Sequence, residues 1–390
     1  MPFKKASRLE ALPPYLFIEI DHKKRAAIAA GRDVIDFGVG DPDRPTPKFI
    51  IDRMAEAIYD PANHPYPHDA GAPEFKSTAA DWFARRFGVK VDPDREVLTL
   101  IGTKEGLGHL PLAVVNPGDR TLVPQPGYPV YQSASIFAGG RPHIMPLTEE
   151  NRFVPDLDAI PEGILKETSL LFVNYPNNPT GAVADLAFYE RCVALAREYD
   201  FVICSDAAYC EMSFEDGDRP HSVLEVPGAG EVAVELHSLS KTFNMTGWRL
   251  GFAVGNPEVL AALAKIKGNM DSGQFNAIQQ AGVTALRNID GPEIAGIRDL
   301  YRQRRDLLVP GLNRLGFEVR TPRATFYVWA RCPNGLDSMT CAARMLDEAA
   351  IVAVPGVGFG AAGEGYVRFA LTIEAERVAE ALDRLAGLQW

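Results

Sequence analysis

Ser238-Leu239-Ser240-Lys241-Thr242-Phe243-Asn244-Met245-Thr246-Gly247-Trp248-Arg249-Leu250-Gly251 is a short run dense in chemistry, flanked by segments 232–236 and 250–254 that read as buried strands. A lysine at the mouth of a strand attacks an aldehyde when its amine is partly deprotonated. The hydroxyls of Ser238 and Ser240, with the guanidinium of Arg249 eight residues past the lysine, are the donors that a phosphate takes. The run therefore predicts a covalently tethered group carrying both an aldehyde and a phosphate. A surface lysine beside a structural arginine is the plainer reading, and the density of the whole run speaks against it.

Outward from this run, short apolar segments alternate with longer helical patterns. Strands are expected at 97–101, 121–123, 141–145, 170–173, 201–205, 233–236 and 250–254, with helices at 104–115, 128–138, 186–199 and 257–270. This is the pattern of an α/β layer on a mainly parallel, seven-stranded sheet. Beyond about residue 285 the pattern changes. A helix at 292–315 carries Ile297, Leu300, Tyr301, Leu307, Leu308, Leu312 and Leu315, mostly at helical spacing. Strands at 317–319, 326–330 and 366–370 and helices at 338–350 and 374–388 complete a smaller α+β unit. At 390 residues the chain has room for more than one domain. The expected division is an amino-terminal arm and helix at 1–33, a large domain at 34–285 and a small one at 286–390, with a cleft between the last two.

Four further constellations lie on this framework. Ile101-Gly102-Thr103-Lys104-Glu105-Gly106 follows a strand and opens a helix, whose free amides bind phosphate while Gly102 permits close approach. Alone it is also an ordinary strand-to-helix turn. Asn174-Tyr175-Pro176-Asn177-Asn178-Pro179-Thr180-Gly181 is a rigid loop after a strand, able to aim the Asn178 amide at a phenolic oxygen and a substrate carboxylate. Phe201-Val202-Ile203-Cys204-Ser205-Asp206-Ala207-Ala208-Tyr209 sets an acid at the carboxyl end of an apolar strand, where open parallel sheets place ligands. A buried carboxylate there keeps a pyridine nitrogen protonated, and Tyr209 can donate to the ring's phenolic oxygen; a helix-capping Asp is the alternative. Arg368 sits inside the apolar strand Tyr366-Val367-Arg368-Phe369-Ala370, an expensive place for a cation unless it is paired. An amino-acid carboxylate would pair it in bidentate fashion, and a structural salt bridge is the other option. Tyr128, in Pro126-Gly127-Tyr128-Pro129, fits a stacking role on the ring or a place in the core. A tethered group bearing both aldehyde and phosphate is described by pyridoxal 5′-phosphate, and the pyridine and phenol contacts above are read on that cofactor.

Bulk properties exclude several classes. The formal net charge of −11 argues against nucleic acid and anionic membranes as partners. No segment approaches eighteen consecutive apolar residues, and the polar start of the chain lacks a secretory core, so a cytoplasmic protein is expected. Five cysteines without C-x-x-C spacing predict neither disulfides nor a zinc site. Gly38-Val39-Gly40-Asp41 lacks the third glycine of a dinucleotide fingerprint, which disfavours a nicotinamide dehydrogenase. His64 and His68 are kept from sharing a helix face by Pro65 and Pro67, so no metal is expected there.

In order and spacing, Asn-Pro-Thr-Gly, Asp-x-x-Tyr and Ser-x-Ser-Lys resemble the fold-type I aminotransferases of class I/II over nearly the whole chain. The resemblance implies that Lys241 tethers the cofactor and shuttles the proton, that Asp206 faces the pyridine nitrogen, and that Asn178 and Tyr209 contact the phenolic oxygen. It also implies stacking by Tyr128, phosphate contacts from Thr103, Lys104, Ser238, Ser240 and Arg249, and capture of the substrate α-carboxylate by Arg368. Tyr66 matches a tyrosine that reaches the neighbouring subunit's phosphate, which implies a homodimer with shared sites. Within the class, the segments 102–106, 237–249 and 324–329 are similar to the LL-diaminopimelate aminotransferases, a group in which Tyr15 and Gly40 would touch substrate. The activity implied is ping-pong transfer of an amino group between LL-diaminopimelate and 2-oxoglutarate in lysine biosynthesis. Relatives acting on alanine, aspartate or glutamate, and a lyase cutting at Cβ on the same fold, share much of this shell. His68 and Asp69 do not decide among them.

Overall fold

The computed structural model describes residues 4–12, 16–214 and 219–390, with side chains from residue 19 onward in the second of these segments. In chain order its strands are β1 (Ile35–Asp36), β2 (Val97–Leu100), β3 (Arg120–Gln125), β4 (Arg141–Pro146), β5 (Thr168–Asn174), β6 (Val202–Asp206), β7 (Ala233–Ser238), β8 (Gly251–Gly255), β9 (Glu318–Val319), β10 (Tyr327–Arg331), β11 (Ile351–Val352), β12 (Val354–Pro355) and β13 (Tyr366–Ala370). Seven of them form one sheet in the order β2-β8-β7-β6-β5-β3-β4. All neighbours in it are parallel except those of β8, which runs against both β2 and β7.

The central strands read as unbroken apolar runs because both faces of the sheet are covered. Leu171 and Val173 of β5 join the cluster that holds Trp82, Phe83 and Phe252, whereas Leu170 and Phe172 join Leu107, Leu110 and Tyr131 on the other face. The register aligns Asn174 with Asp206 at the ends of β5 and β6. Between β7 and β8 the chain leaves the sheet and returns, pairing Ser238 with Gly251. Residues 239–250 are thereby held at the carboxyl edge of the sheet, the edge at which such sheets bind ligands.

A second sheet, β12-β13-β10-β9, is antiparallel, and β1 pairs in parallel with β11. The seven main strands and the helices Leu186–Tyr199 and Pro257–Met270 match expectation closely; the expected helix at 128–138 begins instead at Val130, behind the Pro126–Pro129 loop. Three long helices, Lys48–Ile58, Pro73–Phe87 and Asn276–Arg287, were not anticipated. Pro73–Phe87 does carry the signals of one, with proline at its first position and Gly88 closing it at φ +73°. Residues 35–43 are bound to the carboxyl-terminal part through β1–β11 pairing and through Arg304, whose Nη1 and Nη2 each donate to Asp43 at 2.7 Å.

Candidate active site

A cavity of about 620 Å³ opens at the carboxyl ends of β5, β6 and β7, between the main sheet and the four-stranded one. Every residue expected at the site lines it except Tyr66 and Tyr15. Tyr66 is 91% exposed and stands outside this chain's own cavity, and Tyr15 lies outside the described residues.

Asp206 is the last residue of β6 and is buried. Tyr131 donates to its Oδ2 at 2.7 Å and the Ala208 amide to its Oδ1 at 3.3 Å. Burial outweighs these bonds and pushes the carboxyl up to about 6. A protonated pyridine nitrogen would supply this carboxylate with a countercharge. Asn174 ties the neighbouring loop to this strand end, donating from Nδ2 to the Asp206 carbonyl at 2.8 Å and accepting the Asn178 amide at 2.9 Å. Tyr209 is buried three residues beyond Asp206, and burial raises its phenol well above the usual range. Its hydroxyl donates to the Tyr327 hydroxyl at 3.2 Å.

The lysine run occupies the opposite wall. Lys241 closes a short helix, Leu239–Thr242, capped by Ser238, whose hydroxyl accepts the Ser240 amide at 3.1 Å. Its Nζ donates to the Gly40 carbonyl at 3.1 Å and lies 5.6 Å from the centre of the Phe326 ring. Arg249 adopts a left-handed backbone at φ +55°, and Gln274 holds its carbonyl through Nε2. The guanidinium then folds over Gly102: a β-carbon there would fall 2.3 Å from Arg249 Nη2. Gly102 also has φ +73°, and the helix Thr103–Val114 starts directly after it. Arginine, two serine hydroxyls and a helix amino terminus thus meet in one corner, a donor set suited to a phosphate dianion. Lys104 Nζ lies 5.8 Å from the centre of the Tyr128 ring, so both flank this corner.

Arg368, buried in β13, faces the cavity from the second sheet. It donates from Nη1 to Asn178 Oδ1 at 3.0 Å and from Nη2 to the Gly38 carbonyl at 2.9 Å. Its guanidinium packs on the rings of Tyr327 and Phe359 at 4.2 and 4.7 Å. The cation is thus placed next to Asn178.

A carboxylate suited to a ring nitrogen, phenol and amide donors, a lysine and a phosphate corner all fit pyridoxal phosphate, and Arg368 presents a cation at the same cavity. Tyr131 and Tyr327 were missed as site residues. Tyr327 stood within a quoted motif, whereas only the i, i+3 spacing from Tyr128 hinted at Tyr131.

The sequence profile of the family described as aminotransferase class I and II matches residues 32–385. The chain belongs to the class I and II aminotransferases. As a member it is a transaminase of a family whose chemistry depends on pyridoxal phosphate. Similar curated proteins include the LL-diaminopimelate aminotransferase of Syntrophobacter fumaroxidans, 56% identical over 390 residues and 100% of both chains. That of Aquifex aeolicus is 52% identical over 99% of this chain and 100% of its own. Among solved structures, substrate-bound BacF from Bacillus subtilis superposes with a TM-score of 0.94 at 36% identity, covering 99% of this chain and 98% of that one. Among the described residues no helix of this aminotransferase is long and apolar enough to cross a membrane.

Proposed function

We propose that this aminotransferase moves an amino group between LL-diaminopimelate and 2-oxoglutarate, in lysine biosynthesis, by a ping-pong cycle. The observation that carries this substrate assignment is end-to-end similarity, at 56% identity, to a curated enzyme of that name. The residues that would hold pyridoxal 5′-phosphate are Ser238, Ser240, Arg249, Thr103 and Lys104 for its phosphate, Tyr128 for its ring face and Asp206 for its ring nitrogen. Once bound, it supplies an aldehyde for exchange between amines and an electron sink for the pair left when the α-proton departs.

The chain's own residues do the rest. Arg368 fixes the substrate α-carboxylate through its fork, and Asn178, bonded to Arg368, is placed to serve carboxylate and phenolic oxygen together. Asp206, ionised toward a cationic ring nitrogen, keeps that nitrogen protonated. Lys241 Nζ would take the substrate's α-proton as general base and hold it for return. Tyr209 donates to the phenolic oxygen.

The protein is read as a homodimer with shared sites. Tyr66 is exposed, and it sits in a segment packed on 268–273, where a β-carbon on Gly273 would meet the His68 carbonyl at 2.3 Å. Ile51, Ile58, Tyr59 and Met270 are exposed apolar residues of the same amino-terminal and 270 region, which a second copy would cover. We read residues 34–285 and 286–390 as the large and small domains, with segment 35–43 as the strap between them. The five cysteines are free and buried, which fits a reducing cytoplasm.

An amino-donor panel with 2-oxoglutarate tests the substrate. LL-diaminopimelate should exceed alanine, aspartate and aromatic acids in kcat/KM by at least about tenfold, the scale of one distal polar contact. A preference for any of the others, or release of pyruvate and ammonia without an oxo acid, would overturn the assignment.

A further inference from the structure

Tyr327 stands where the two sheets and the 35–43 strap meet. It is 3% exposed. Its hydroxyl accepts from Tyr209 at 3.2 Å, and its ring carries the Arg368 guanidinium. A β-carbon on Gly40 would fall 2.1 Å from that hydroxyl, and the Gly40 carbonyl is the acceptor of Lys241 Nζ. Tyr327 therefore reaches Tyr209 and Arg368 directly and Lys241 through one residue.

The spacing of the two tyrosines is set by backbone. The Thr325 amide donates to the Met212 carbonyl and the Phe214 amide to the Arg323 carbonyl, each at 2.9 Å. Ser213 and Ala324 form an antiparallel bridge between them. Thr325 holds a left-handed conformation at φ +68°, and its hydroxyl accepts the Tyr327 amide at 3.1 Å. The entry to β10 is thus clamped onto the loop that follows Tyr209, and the hydroxyl pair is preorganised.

A phenol has one proton to donate and can accept at the same oxygen. In this structure Tyr209 gives its proton to Tyr327. If Tyr209 turns that proton toward a phenolic oxygen in the cavity, its own oxygen becomes free to accept from Tyr327, by rotation of two O–H bonds. Hydrogen bonds in such a chain polarise one another, so Tyr209 becomes a stronger donor with Tyr327 behind it. We infer that Tyr327 is a positioning residue that acts through Tyr209, fixing its hydroxyl and strengthening its bond to the phenolic oxygen of bound pyridoxal phosphate. The inference rests on the cofactor placement given under Proposed function.

The test compares wild type, Tyr327→Phe, Tyr209→Phe and the double variant, all loaded with pyridoxal phosphate. It reads the pH midpoint of the bound cofactor's visible band and the thermal midpoint. A donor on the phenolic oxygen withdraws electron density and eases loss of the proton which that oxygen helps to hold, so removing support raises the midpoint. Tyr327→Phe should raise it by about 0.5 pH unit, less than Tyr209→Phe and in the same direction. In the Tyr209→Phe background it should add nothing, and the thermal midpoint should stay close to wild type. An unmoved midpoint, or an equal shift in both backgrounds, would reduce Tyr327 to packing. A wild type that binds no cofactor would sink the cofactor placement and this inference together, whereas a normal wild-type band with an unmoved variant sinks this inference alone.

Discussion

Asp206 ends β6 with its carboxylate buried and with Tyr131 and the Ala208 amide as donors. The apoprotein bears the cost of that burial. The carboxyl is raised from 3.8 to about 6, so stability falls as pH rises between these values and the full loss is present above about pH 6. Asp206→Asn apoprotein should then be more stable than wild type at pH 8 by about 1–3 kcal/mol, with no difference near pH 4. The same change should slow the amino-donor half-reaction by on the order of 10²-fold, because a neutral amide does not hold a ring nitrogen protonated. Chemical denaturation at both pH values and stopped-flow absorbance check the two halves. A variant less stable at pH 8, with an unchanged half-reaction, would leave Asp206 as a simple cap. Asp206 and Arg368 were legible in the sequence because each is a charged group at the end or centre of an apolar strand, and Lys241 because hydroxyls and an arginine crowd the run just past a strand. Tyr131 and Tyr327 were not, because their importance lies in distances to residues 75 and 118 positions away.

Among the elements, the helix Thr103–Val114 matters most to the phosphate corner, and a buried ion cluster anchors it. Lys267, near the end of Pro257–Met270, is 1% exposed and donates to Asp271 Oδ1 at 2.9 Å and to the Ser272 carbonyl at 3.0 Å. It also lies 3.5 Å from Glu105, whose Oε2 accepts the Ile101 amide just ahead of the helix. Removing the ammonium leaves the partly exposed carboxylates of Glu105 and Asp271 with His109 as a weaker partner. Lys267→Ala should cost about 1–3 kcal/mol of stability and raise the cofactor's Kd several-fold by loosening the first turn. Denaturation and cofactor titration measure both; a loss below 1 kcal/mol would mean that water replaces the ammonium freely. The seven main strands were legible as apolar runs and the helices Leu186–Tyr199 and Pro257–Met270 by their helical periodicity, whereas Lys48–Ile58, Pro73–Phe87 and Asn276–Arg287 were not. Strands β1, β11 and β12 have two residues each, too few to show any period, so the attachment of segment 35–43 to the carboxyl-terminal part appears only in the pairing.

At the scale of the molecule, the proposed homodimer turns on Tyr66. It is exposed, it is absent from its own cavity, and its role by resemblance is at a neighbour's phosphate. No reading of a single chain fixes such a contact, which is why the tyrosine was legible only through its family. Coexpression tests it: Lys241→Ala and Tyr66→Ala chains should each be impaired alone, while their hybrid dimer contains one intact site and regains activity. Hybrids no more active than the weighted parents would contradict shared sites. The central claim is the covalent tether at the carboxyl edge of the sheet, and borohydride reduction of the pyridoxal-phosphate-loaded protein followed by peptide mass spectrometry tests it most directly. The phosphopyridoxyl group should be found on Lys241, stoichiometrically and on no other lysine; its appearance on Lys104 or any other lysine instead, or no label at all, would contradict the account.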